Sequence, residues 1–159
     1  MFGDSEFTDI SKDRALSDLT DLLGLNSEPV RIECFDISHL SGTGVVASMV
    51  AFVNGVSARS EYRKFKLSRE INDDTANMSE IVTRRFSQKN QKSWGVPDLV
   101  LIDGGKPQLG AALEAARVQG YNGPIISIAK RNDEIVVHGT KSNVTINSSR
   151  LSPGAGVVR

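Results

Sequence analysis

The chain has 159 residues, a mass of 17.2 kDa, 39% hydrophobic residues and a formal net charge of +0. That length supports one hydrophobic core and argues against two domains, and the neutral balance excludes bulk attraction to nucleic acid, so such binding must come from local charge. The single cysteine, Cys34, excludes an internal disulfide and fits a reducing cytoplasm, and no apolar run approaches the roughly 20 residues of a membrane span, so a soluble, non-membrane protein is expected.

In chain order, residues 1–10 read as a polar, loose tail and residues 11–159 as one domain. Ala15, Leu16, Leu19, Leu22 and Leu23 predict a short amphipathic packing helix from Ser11, stopped by Gly24. Acids outnumber bases through residue 36, a face expected to repel DNA. Over residues 31–38 the alternation puts Ile32, Cys34 and Asp36 on one face and Glu33, Phe35 and Ile37 on the other. Asp36 therefore shares a side with apolar residues, where a carboxylate is costly unless a cation, a hydrogen-bond donor or a metal matches it. After a turn over residues 40–44, residues 45–53 predict a second strand, Asn54-Gly55 a hairpin turn and residues 56–67 a third strand.

Asn72, Asp73 and Asp74 offer helix caps, and Met78, Ile81, Val82 and Phe86 mark a helical stripe that belongs in the core. Bases outnumber acids between Arg59 and Lys92. Such a region suits phosphate binding beside an acidic metal site, and a solvated charged face is the plain alternative. Asp74 and Glu80 stand as lesser candidate metal ligands. Residues 99–102 are apolar at every position, which predicts a central strand buried on both faces. Asp103 ends that strand, Gly104 and Gly105 allow a tight turn or a close approach, and Pro107 opens a helix carried by Leu109, Ala112, Leu113 and Ala116. A carboxylate at a strand-to-helix junction suits ligand binding in open α/β sheets, but it equally suits a plain helix cap, and both readings stay open. Two such aspartates on neighbouring strands would suit magnesium or manganese. Residues 124–129 and 134–138 predict two further strands joined by a charged turn over 130–133, with His138 a strand residue. Residues 143–146 predict a last short strand, and 152–156 a loop.

The runs IECFDISHLSGT, YRKFKL, NDDTANMSEIVTRRFS, PDLVLIDGGKPQL and IISIAKRNDEIV, in that order, resemble the endonuclease half of the UvrC subunit of the bacterial excinuclease. The resemblance extends from about Leu16 to Arg159, and its specific part is FDIS paired with IDGGK. It implies an α/β, ribonuclease H-like fold, a mixed sheet with three leading antiparallel strands flanked by helices. It implies a nucleotide excision repair endonuclease that hydrolyses a DNA phosphodiester on the 5′ side of a lesion, using Mg2+ or Mn2+. By position Asp36 and Asp103 match the family's two catalytic aspartates and are the expected metal ligands, and Arg84, Arg85 and Lys106 are expected to contact DNA. The implied partners are damaged double-stranded DNA and the UvrB subunit, the latter through a region outside this chain.

The family's third catalytic residue is a histidine in a motif of the form RDE-x-H-RFA, which comes after the segment matched here by Val157, Val158 and Arg159. The domain is therefore expected to be incomplete at its C-terminus and impaired in cutting, and His39 and His138 match other family positions. The GIY-YIG nuclease domain and the tandem helix-hairpin-helix module of the family are also outside the chain. A rival reading is a non-catalytic DNA- or protein-interaction module. A phosphate loop at DGGKPQ is disfavoured because the G-x-x-x-x-G-K-[ST] spacing is not met.

Overall fold

The computed structural model describes residues 17, 20–40, 44–68, 73–131, 134–139 and 143–147. The tail over 1–10, most of the packing helix, the turn residues 41–43, Asn72, the turn residues 132–133 and the loop over 152–156 lie outside the described residues. Residues 20–23 are helical and end at Gly24, whose φ of +64° suits a glycine stop.

Alternation in the sequence builds the first hairpin. β1 (Arg31–Leu40) pairs antiparallel with β2 (Gly44–Val53) along its whole length, from Arg31 opposite Val53 to Leu40 opposite Gly44. Asn54 and Gly55 then turn the chain with φ of 53° and 79°, the left-handed pair that a two-residue hairpin needs. The third strand expected over 56–67 is interrupted. The chain returns as β3 (Val56–Ser57), makes a 3-10 turn (Arg59–Glu61), and resumes as β4 (Arg63–Lys66), both pieces pairing with β2. The break brings Glu61 into an ion pair with Arg31, which a continuous alternation does not foretell.

α1 (Asp74–Arg85) comes next, started by Asp73, whose Oδ1 accepts the Ala76 N–H at 3.0 Å. α2 (Gln88–Trp94) was not foreseen from the sequence. It buries no residue and so shows no apolar stripe, and its one local signal is Ser87, whose Oγ accepts the Asn90 N–H at 3.3 Å. β5 (Leu99–Asp103) is buried at every position, as its unbroken apolar run requires. α3 (Lys106–Val118), β6 (Ile125–Arg131), β7 (Glu134–His138) and β8 (Asn143–Asn147) complete the described chain.

The sheet order is β3-β2-β1-β5-β6-β7-β8, with β4 also on β2. β5 lies parallel to β1 and β6 parallel to β5, while β7 and β8 continue antiparallel. This is the expected mixed sheet with three leading antiparallel segments. Both crossovers, through α1 and α2 and then through α3, step across the sheet in the same direction, and right-handed crossovers of that kind put their helices on one face. Phe35, Val100 and Ile102 accordingly pack with Met78, Ile81 and Val82 of α1 and with Leu109 and Ala112 of α3. The opposite face holds Ile32, Cys34, Leu99, Leu101 and Ile128, with Leu23 and Leu25 packed against it. No helix among the described residues is long and apolar enough to cross a membrane.

Candidate active site

The parallel register between β1 and β5 runs Ile32–Leu99, Glu33–Val100, Cys34–Leu101, Phe35–Ile102, and Asp36 and Asp103 are the next residue of each strand beyond it. Neighbouring strands lie about 4.8 Å apart, and residues in register share a face of the sheet. The two aspartates therefore take the same face of the sheet, opposite α1 and α3, where β5 ends. Asp103 is 8% exposed and Asp36 half-buried. One rung below, Cys34 and Leu101 make an apolar floor. Burial, and then the negative charge of Glu33, push the Cys34 thiol well above its ordinary range, so this cysteine packs as a neutral small hydrophobe.

The turn after Asp103 explains its glycines. Gly104 has φ +157°, and a Cβ there would stand 2.9 Å from both Cβ and Cγ of Gln108. Gln108 in turn accepts the Gly105 N–H through Oε1 at 3.0 Å, and Gly105 is the N-cap of α3. The cap position thus belongs to Gly105, two residues beyond Asp103, and the glycine pair lets the helix start directly behind the carboxylate.

Both aspartates line a cavity of about 400 Å³, together with Cys34, Leu101, Ser48, Tyr62 and Lys64. Among the described residues no group of three or more histidine, cysteine, aspartate and glutamate side chains gathers as a metal cage. Two adjacent carboxylates alone form an oxygen-only, negatively charged donor set. That set suits a hard divalent cation that keeps several waters, and it suits thiophilic ions poorly.

The remaining candidates separate. Arg85, expected at DNA, is fully buried. Its Nε donates to Glu33 Oε1 at 2.7 Å and its Nη2 to Glu33 Oε2 at 2.8 Å, so it cannot reach a phosphate. The resemblance placed Arg85 at DNA, and its charge belongs instead to a core ion pair. Arg84 is exposed, but its Nη1 donates to the Lys66 carbonyl at 2.6 Å and lies 3.6 Å from Glu80, and its guanidinium sits 5.3 Å from the Phe65 ring. Lys106 is exposed at the first position of α3. Glu80 accepts the Ser68 hydroxyl at 2.8 Å, and Asp74 bonds His39 Nε2 at 2.8 Å, so neither joins the aspartate pair. Strand parity places His39 and His138 on the helix-covered face, opposite that of Asp36 and Asp103. The sequence reading missed the buried Glu33, whose only signal was an acid flanked by Ile32 and Cys34 within an apolar strand.

A family model described as the UvrC RNAse H endonuclease domain matches residues 20–153. Proteins called UvrABC system protein C are similar to this chain: one from Tropheryma whipplei (strain TW08/27) is 43% identical over 152 residues, covering 92% of this chain and 25% of that protein. Another, from Methanosarcina mazei, is 48% identical over 134 residues, covering 84% of this chain and 26% of that protein. The chain thus spans about a quarter of the length of these relatives. Among solved structures, Ciona intestinalis Endonuclease V in complex with a 24mer DNA containing an inosine followed by a ribo-adenosine aligns with a TM-score of 0.44 and 20% identity, over 66% of this chain and 48% of that one. The family match runs through both aspartate strands and the helices behind them, and the chain belongs to the UvrC ribonuclease H endonuclease domain family.

Proposed function

We propose that this chain hydrolyses a DNA phosphodiester in nucleotide excision repair, with Asp36 and Asp103 holding one or two divalent cations, Mg2+ or Mn2+. The observation that supports it is that Asp36 and Asp103 follow the paired run of two parallel strands on one face and line one cavity above an apolar floor. When bound, such a cation supplies an activated water and stabilises charge on the leaving oxygen. The residues themselves supply position. Two central strands hold the carboxylates in register, and Cys34 and Leu101 keep water from beneath them, which strengthens electrostatic interactions at the site. Lys106, three residues beyond Asp103, is suited to a phosphate contact at the start of α3.

The finer reading comes from the family. The substrate is damaged double-stranded DNA, cut on the 5′ side of the lesion, and the UvrB subunit is the partner in the cytoplasm. The resemblance implies a third catalytic group, a histidine, and both histidines of this sequence lie on the wrong face to supply it. Acid-base help of that kind is worth about 10²- to 10⁴-fold in rate. Two carboxylates acting without such a group should incise more slowly by that factor.

The test combines Mn2+ titration calorimetry with nicking of supercoiled plasmid. The intact chain should bind Mn2+ and nick slowly, and Asp36→Asn and Asp103→Asn should each abolish both. Absence of Mn2+ binding would favour an interaction module, and fast nicking dependent on Asp103 would show that two carboxylates suffice.

A further inference from the structure

The rung that carries the two aspartates continues beyond them. Asp36 is opposite Ser48 of β2, and Ser48 is opposite Lys64 of β4. One rung nearer the Leu40 end of β1, Ser38 is opposite Val46 and Val46 opposite Lys66. Residues in register share a face, so Lys64 and Lys66 stand on the same side of the sheet as Asp36 and Asp103. Burial agrees with this parity, because Phe65, between the two lysines, and its partner Ala47 are buried in the helix-side core. Lys64 also lines the cavity that contains both aspartates and Ser48.

Both lysines are exposed, and neither side chain forms a hydrogen bond or ion pair among the described residues. The neighbouring arginine is committed elsewhere: Arg63 donates through Nη1 to the carbonyls of Ser60 and Tyr62, and its guanidinium lies 5.0 Å from the Trp94 ring. Two strand spacings separate Lys64 from Asp36, about 10 Å of backbone, and small Ser48 between them leaves room for the lysine stem to lie over it. Acids and cations are thus sorted along one transverse line of the sheet. The acidic end lies at the centre and the basic end at the edge, on β4.

We infer that Lys64 and Lys66 form a phosphate rail: the sugar-phosphate backbone of one nucleic-acid strand leaves the aspartate pair, crosses β2 over Ser48 and Val46, and is gripped at the sheet edge by the two ammonium groups. Lys64 holds the phosphate nearest the aspartates, and Lys66 holds its neighbour. Lysine is a point charge on a flexible stem, so the grip positions the strand without reading its sequence. This inference rests on the nuclease reading of the aspartates, and it fixes the direction in which the strand crosses the domain.

The test measures binding of a fluorescent single-stranded oligonucleotide by anisotropy over a salt series, with Mn2+ affinity measured separately by calorimetry. Lys64→Gln and Lys66→Gln should each weaken oligonucleotide binding fivefold or more, and each should flatten the log-log salt slope by about 0.7, the value for one lost single-strand phosphate contact. Lys64→Arg should restore the slope, and Mn2+ affinity should stay within twofold in all of them. The charge-matched controls are Lys89→Gln and Lys92→Gln on α2, made singly, each of which should leave the slope unchanged. Unaltered affinity in the Lys64 and Lys66 variants, an equal loss in the α2 controls, or no oligonucleotide binding by the intact chain would each overturn the rail. Failure of the intact chain to take up Mn2+ would instead strike the nuclease reading, and the lysine variants would still report on the rail.

Discussion

Glu33 and Arg85 form a two-pronged ion pair with both side chains 0% exposed, Nε to Oε1 at 2.7 Å and Nη2 to Oε2 at 2.8 Å. Arg31 joins from the side, its Nε 2.8 Å from the same Oε2, and Arg31 also reaches Glu61. Burial alone would pull the Arg31 guanidinium down, but the two carboxylates outweigh it and hold its pKa above the ordinary value. Arg85 gives a further hydrogen bond to the Gly95 carbonyl at 2.8 Å and lies 5.1 Å from the Phe86 ring and 5.4 Å from the Trp94 ring. Glu33 is three residues before Asp36 on β1, so this network locks the aspartate strand to α1 and to the loop after α2.

Removing one member of this pair leaves an uncompensated buried charge, which typically costs about 3–5 kcal/mol. Glu33→Leu and Arg85→Met are each expected to lower the unfolding free energy by that amount, read as a lower urea midpoint at unchanged m-value. The double variant should lose less than the sum, because it removes both charges together. Additive losses in urea titrations of the four proteins would show that the two groups are not coupled.

A divalent ion that binds only the folded chain should raise its stability. At a free Mn2+ concentration one hundred times the dissociation constant the gain is about 2.7 kcal/mol, which moves the melting midpoint by several degrees in a chain of this length. Asp36→Asn and Asp103→Asn should fold and show no gain. Scanning calorimetry with and without Mn2+ decides this, and an intact chain indifferent to the ion would contradict the site.

At Gly104 the neighbour of a new Cβ is Gln108 Cβ at 2.9 Å, an atom close to the helix backbone that cannot swing away. Gly104→Ala should therefore push α3 from the sheet, destabilise by about 1–3 kcal/mol as an overpacking change, and loosen the seat of Asp103. Mn2+ affinity should fall with it. Wild-type stability and affinity in this variant would mean that the turn relaxes freely.

Cys34 tests the apolar floor. Its ordinary thiol value is 9.0, and burial raises it well above this in the fold. Above pH 9 the unfolded thiol loses a proton that the folded one keeps. The stability associated with the neutral thiol is thus fully present below that pH and declines as pH rises past it, by up to about 1.4 kcal/mol per unit. Cys34→Ala should show a shallower decline between pH 9 and 10.5 in denaturant titrations. At pH 8 the native thiol should resist iodoacetamide until urea unfolds the chain, whereas rapid native labelling would show that the cavity floor is open.

Local periodicity was enough to specify several elements from the residues alone. The unbroken apolar run of residues 99–102 called for a strand buried on both faces, and it is the middle strand of the sheet order. Asn54-Gly55 specified its hairpin, and the stripe Met78, Ile81, Val82 and Phe86 is fully buried. The alternation in residues 31–38 put Asp36 with Ile32 and Cys34, the face they share in the structure. Which faces meet was settled by tertiary packing. Glu33 and Arg85 are 52 positions apart, and nothing in either neighbourhood marks the other as a partner, so Arg85 read as a surface base. The alignment of Lys64 with Asp36 likewise depends on two registers, β1 with β2 and β2 with β4, and on a 3-10 break that resets the phase of the third strand. Periodicity reports the side a residue takes within its own element. The register between elements is set by packing and hydrogen bonding across the whole sheet, and a one-residue slip there would send every side chain of a strand to the other face.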